Sequence, residues 1–199
     1  MINSVIFDFG QVLVHFEPEY MCGKYTDNSE DIKLLSEVVF DRIYWDRLDA
    51  GTIENDEMMA DVKRRLPERL HTTAEKIYYN WIYNLPEIDG MRDVIKLCRE
   101  RGFGIYLLSN ISRDFAKKKD EIPILSLIDE CVFSSVCGCV KPSADIFKYI
   151  TELYGLTPEN TLFVDDNEKN IKGAADFGIS AYHFDGDAKK LADYIKKMK

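Results

Sequence analysis

Four short apolar runs in this chain each lead into polar residues that together could handle a phosphate group. Asp8 follows Val5-Ile6-Phe7, Ser109-Asn110 follows Gly104-Ile105-Tyr106-Leu107-Leu108, and Asp165-Asp166 follows Thr161-Leu162-Phe163-Val164. Lys141 comes shortly after Cys131-Val132-Phe133-Ser134-Ser135-Val136. Runs rich in β-branched and aromatic residues predict buried strands. In an open α/β sheet, ligands bind beyond the carboxyl ends of the strands, where strand order reverses. These groups therefore converge on one crevice although they span most of the chain. A nucleophilic carboxylate, a hydroxyl, an ammonium and a pair of acids suit an anionic phosphate held against a divalent cation.

The elements that must position these groups are legible from periodicity. Strands are predicted at 4–9, 104–108, 131–136, 161–165 and 179–184, with helices at 90–101, 113–120, 143–154, 168–177 and 187–197. Such alternation implies βαβ units and a parallel sheet. Residues 16–86 break the pattern: no strand, but amphipathic helices opening at Asn28-Ser29, after Asn55 and at Thr72-Thr73. That block is too long to be a mere connection. The predicted fold class is α/β, a Rossmann-like core (1–15 and 87–199) with a parallel sheet of five or more strands and an inserted all-helical cap (16–86).

Composition narrows the classes. With 199 residues, 46% of them hydrophobic, the chain can bury a proper core. A net charge of -9 argues against nucleic acid and membrane surfaces as partners, so phosphate affinity must come from local groups and a metal. Five cysteines, an odd number without CxxC spacing, predict reduced thiols in a cytoplasmic protein. The N-terminal apolar run is broken by Asp8 and lacks a basic flank, unlike a signal peptide. No apolar stretch is long enough for a bilayer, and nothing demands more than a monomer.

Asp8-Phe9-Gly10-Gln11-Val12, Leu108-Ser109-Asn110, Lys141-Pro142 and Asp165-Asp166-Asn167-Glu168-Lys169-Asn170-Ile171 resemble the four ordered motifs of the haloacid dehalogenase superfamily. The helical insertion resembles that superfamily's first cap type, and the likeness covers essentially the whole chain. Within it, the Asp-x-Gly start, the Asp-Asp-Asn ending and the Trp45–Glu57 stretch resemble the bacterial alpha-D-glucose-1-phosphate phosphatase branch. The resemblance implies Asp8 as nucleophile and an aspartyl-phosphate intermediate. It implies Mg²⁺ held by Asp8, the Gly10 backbone carbonyl and Asp166, with Asp165 direct or through water. Ser109 and Asn110 would donate to phosphoryl oxygens, Lys141 would neutralise charge, and Asn170 would orient Asp166 or a metal-bound water.

One position departs from the pattern. Most superfamily phosphatases carry a second Asp two residues after the nucleophile, as general acid for the leaving alcohol; here Gly10 stands there. Such help is typically worth about 10²–10⁴-fold. Leaving groups of low pKa, such as an anomeric hydroxyl, suffer least from its loss, and Gln11 or a metal-bound water are candidate substitutes. Around the crevice, His15, Phe16, Glu17, Trp45 and Asp46 are candidate substrate contacts. The expected activity is Mg²⁺-dependent hydrolysis of a small-molecule phosphomonoester, a sugar phosphate above all. The alternatives are a non-catalytic phosphate- or partner-binding protein and, within enzymes, a haloacid dehalogenase.

Overall fold

The computed structural model describes residues 1–198. Five strands, β1 (Ser4–Phe7), β2 (Gly104–Ser109), β3 (Glu130–Phe133), β4 (Thr161–Asp165) and β5 (Ser180–His183), form one sheet in the order β3-β2-β1-β4-β5. Every pairing is parallel. Parallel strands are covered on both faces, and β1 and β4 are accordingly buried throughout. The chain leaves β1 for one half of the sheet and later returns to β1's other side as β4. The carboxyl end of β1 is therefore the switch point.

Between β1 and β2 run α1 (Pro18–Gly23), α2 (Ser29–Val39), α3 (Arg42–Asp49), α4 (Asn55–Arg65) and α5 (His71–Asn80), with short 3₁₀ turns at Glu68–Leu70 and Trp81–Asn84. Asn28 caps α2 by accepting from the backbone N–H groups of Glu30 and Asp31 at 3.0 Å each. After that block, helices α6 (Met91–Glu100), α7 (Arg113–Lys117), α8 (Ser134–Cys137), α9 (Ala144–Tyr154), α10 (Glu168–Phe177) and α11 (Ala188–Lys197) follow in order. No helix among the described residues is long and apolar enough to cross a membrane.

The helical insertion shares its core with the sheet. Phe16 packs edge-on against Phe40, Trp45 and Trp81, and Trp81 stacks on Phe115, which lies 4.8 Å from Phe9. Polar ties add direction: Asn55 bonds Asp114, and the Ser134 hydroxyl donates to the Asp49 carbonyl at 2.5 Å while accepting from the Ile111 N–H.

The strand predicted at 4–9 ends at Phe7, that at 179–184 spans Ser180–His183, and a third is cut short by a helix. The run 131–136 is strand only to Phe133; from Ser134 the chain turns into α8, which stops at Gly138 in the left-handed region. The side-chain bonds of Ser134 to two other segments replace a continued ladder. Two short helices, α1 and α3, arise where none was predicted.

Candidate active site

Three carboxylates and one ammonium meet at the switch point. Asp8 lies one residue past β1, its backbone N–H held by the Val164 carbonyl at 2.9 Å. Asp165 ends β4 and is fully buried. Lys141, on the loop before α9, reaches between them: its Nζ lies 2.7 Å from both Asp8 Oδ1 and Asp165 Oδ2. Buried charges persist only when paired in this way.

Burial and the neighbouring charges together shift Asp8, Lys141 and Asp166. Burial, with the nearby Asp165, outweighs Lys141 and pushes the Asp8 carboxyl up to about 7. Burial disfavours the Lys141 ammonium, but the two carboxylates more than reverse this and hold its pKa above the usual lysine range. Asp166 is raised too, by burial and then by Asp165. Crowded acids favour a cation among them.

Asp8, Asp165 and Asp166 each offer an oxygen, and these lie within 4.8 Å of one another. Hard oxygen donors from a few carboxylates, open on one side to water and substrate, fit Mg²⁺. Asp165 is the most heavily engaged: Oδ1 accepts from the Asn167 N–H and Asn170 Nδ2, and Oδ2 from Lys141 and Asn170. No such side-chain tie to Asp166 is found among the described residues, and Asp166 lines the cavity over these groups.

A cavity of about 530 Å³ opens over these groups. Asp8, Gly10, Gln11, Trp45, Ser109, Asn110, Lys141, Asp166 and Asn170 all line it, while Asp165 supports it from behind. Two expected roles change. The Asn110 amide is not free for a phosphate: it clasps the Lys141 backbone, accepting from its N–H at 2.8 Å and donating to its carbonyl at 3.0 Å. Asn110 thereby positions the lysine loop. Asn170 orients Asp165 rather than Asp166, because the first turn of α10 folds back over β4.

Other candidates sort themselves by position. Phe16, Trp45 and Asp46 line the cavity, and Trp81 joins them. The Trp45 indole N–H is spent on the Val39 carbonyl, leaving its ring as an apolar wall. His15 and Glu17 face each other 3.9 Å apart outside the cavity. Gln11 adopts a φ of 56° and donates its amide to the Phe16 carbonyl.

The sequence reading passed over Arg42 and Asp49, which also line the cavity. With Trp45 and Asp46 they occupy one face of α3 at spacings of three, four and seven. That spacing was the available signal.

A model of haloacid dehalogenase-like hydrolases matches residues 2–178. The chain is 23% identical over 192 residues to the D-ribitol-5-phosphate phosphatase of Bacteroides thetaiotaomicron, covering 92% of this chain and 91% of that one. A predicted HAD-like family hydrolase from Porphyromonas gingivalis superposes with a TM-score of 0.73 at 22% identity over the full length of both chains. A HAD family enzyme of Bacteroides thetaiotaomicron, solved with magnesium and inorganic phosphate, gives 0.73 at 22% identity, covering 96% and 99%. The match runs from β1 past the Asp165-Asp166 pair and α10, so this chain belongs to the haloacid dehalogenase-like hydrolases.

Proposed function

We propose that this protein is a Mg²⁺-dependent phosphatase that hydrolyses a small-molecule phosphomonoester, of the sugar or polyol class, through an aspartyl-phosphate on Asp8. The observation that carries the reading is the meeting of Asp8, Asp166 and the Lys141–Asp165 pair at one strand-end cavity. Bound Mg²⁺ would supply charge neutralisation between Asp8 and the phosphoryl oxygens. Lys141 holds Asp8 in place and stabilises negative charge as it builds on the transferring group. Ser109 offers its hydroxyl to a phosphoryl oxygen. Asn110 and Asn170 keep Lys141 and Asp165 in register with the nucleophile.

A substrate with hydroxyl groups agrees with the outer cavity, where the Phe16, Trp45 and Trp81 rings adjoin Arg42 and Asp46. The phosphatase among the relatives, and the phosphate-bound neighbour, support the same chemistry. Purified protein should release phosphate from p-nitrophenyl phosphate with Mg²⁺ and lose activity in EDTA. Asp8→Asn should abolish turnover while leaving the circular dichroism spectrum intact. A panel of sugar and polyol phosphates ranks the substrates. Metal-independent turnover, or an active Asp8→Asn protein, would count against the reading.

A further inference from the structure

Position 10 offers no proton for the leaving group, and the space there does not explain why. A Cβ built on Gly10 would meet only Phe16 Cβ, at an ordinary 3.9 Å, and its φ is outside the left-handed region. A side chain would fit, so the proton must be sought elsewhere in the same cavity.

The titratable groups lining that cavity can be sorted by what already holds them. Asp8 and Asp166 belong to the cation site, and Lys141 is locked between Asp8 and Asp165. Asp46 pairs with Arg42 at 2.5 Å, both side chains being largely exposed, and Lys169 is exposed. Asp49 differs from all of these. It is 6% exposed, and its Oδ1 finds no hydrogen-bond partner among the described residues. Its backbone is fixed by the Ser134 hydroxyl, so the carboxyl group projects from a pinned helix end.

We propose that Asp49, on the helical insertion, is the proton donor to the leaving-group oxygen, replacing the carboxyl group absent at position 10; this rests on the phosphatase reading above. As a carboxylate oxygen of Asp8 bonds to phosphorus, the phosphorus–oxygen bond to the alcohol breaks. The departing oxygen takes the Asp49 proton, which leaves the neutral alcohol and an Asp49 carboxylate. Water then attacks phosphorus, its proton passes to Asp49, and phosphate and free Asp8 are regenerated. Both groups return to their starting states.

The protonation state suits the role. Burial pushes the Asp49 carboxyl up to about 8. Arg42 and Lys141 pull it down, while Asp46 and Asp8 push it further up. It is therefore largely protonated at neutral pH, as a general acid must be. A donor carried on the insertion also makes proton transfer depend on that segment covering the site.

The test compares leaving groups. A nitrophenolate departs without a proton, whereas a polyol alkoxide requires one. In the wild type, kcat/KM should vary little from p-nitrophenyl through phenyl to a polyol phosphate. In Asp49→Asn, the ratio of polyol to nitrophenyl kcat/KM should fall by about 10²–10⁴-fold. An unchanged ratio in a folded variant overturns the donor role and leaves the phosphatase reading standing. A wild type that already discriminates steeply by leaving group overturns it without any variant, so the outcome survives an Asn protein that does not fold. Absence of Mg²⁺-dependent turnover on every ester overturns both readings.

Discussion

Lys141 is 4% exposed and spans two acids, so its removal leaves the buried Asp165 and the half-buried Asp8 facing each other without a counter-charge. Breaking a buried ion pair by deleting one partner costs about 3–5 kcal/mol. Lys141→Met should lower the urea midpoint accordingly and reduce turnover at least 100-fold; an unchanged midpoint would show that the triad carries no such strain. Asp49 makes the opposite kind of prediction. Its carboxyl has an ordinary value of 3.8 when exposed and about 8 when folded, so the folded chain binds the proton more tightly. The contribution is complete below about pH 4 and is lost as pH rises through 8. Arg42, Asp46, Asp8 and Lys141 all face this group and set where the loss falls. Asn cannot ionise, so the melting temperature of Asp49→Asn minus that of the wild type should grow steadily from pH 5 to pH 8. A constant difference would mean that Asp49 ionises freely in the folded protein. Asp8, Lys141 and Asp166 were legible in the sequence because strand ends in this topology face one crevice. The partners of Asn110 and Asn170 were not, because an amide's direction depends on which loop packs beside it.

At the level of elements, helix α10 presses directly on the loop that carries Lys141. A Cβ on Gly173 would lie 2.5 Å from the Pro142 carbonyl oxygen and 2.9 Å from Pro142 Cβ. These are backbone and ring atoms that cannot rotate away, so Gly173→Ala must displace the loop. Overpacking of this kind costs typically about 1–3 kcal/mol. The same displacement moves the Lys141 ammonium relative to Asp8, so kcat should fall at least tenfold although residue 173 does not line the cavity. A stability loss with full kcat would show that the lysine loop adjusts independently. Helix α10 itself was plain in the sequence, from residue 168 to its stop at Gly178. Helix α3 was not, because Arg42, Asp46, Arg47 and Asp49 interrupt its apolar residues and its exposed Ile43 falls on the wrong face. Its one clear signal was Asp41, which accepts from the Ile43 N–H at 3.0 Å as an N-cap. The overlong strand at 131–136 has the converse cause: Ser134 satisfies its hydrogen bonds through its side chain, which hydrophobic pattern does not register.

Across the whole molecule, the fold gathers acids that the unfolded chain keeps far apart in sequence. Asp8 comes from the first strand and Asp165-Asp166 from the fourth, and only the parallel pairing of β1 with β4 brings them together. Burial first, and then the charge of Asp165, raise Asp8 and Asp166, a cost of folding that Lys141 offsets only in part. A divalent cation bound there favours the folded state alone, because no such cluster exists in the unfolded chain. Mass action then gives about 2.7 kcal/mol at a concentration 100 times the dissociation constant. For a domain of this size that corresponds to a rise in melting temperature of about 5–10 °C. The rise should saturate with MgCl₂, disappear with EDTA and be absent with NaCl at equal ionic strength. Asp166→Asn should abolish most of the response while melting no lower than the wild type without metal, because it removes one of the repelling charges. A wild-type melting temperature indifferent to millimolar Mg²⁺ would mean that the three carboxylates, close as they are, do not form a cation site.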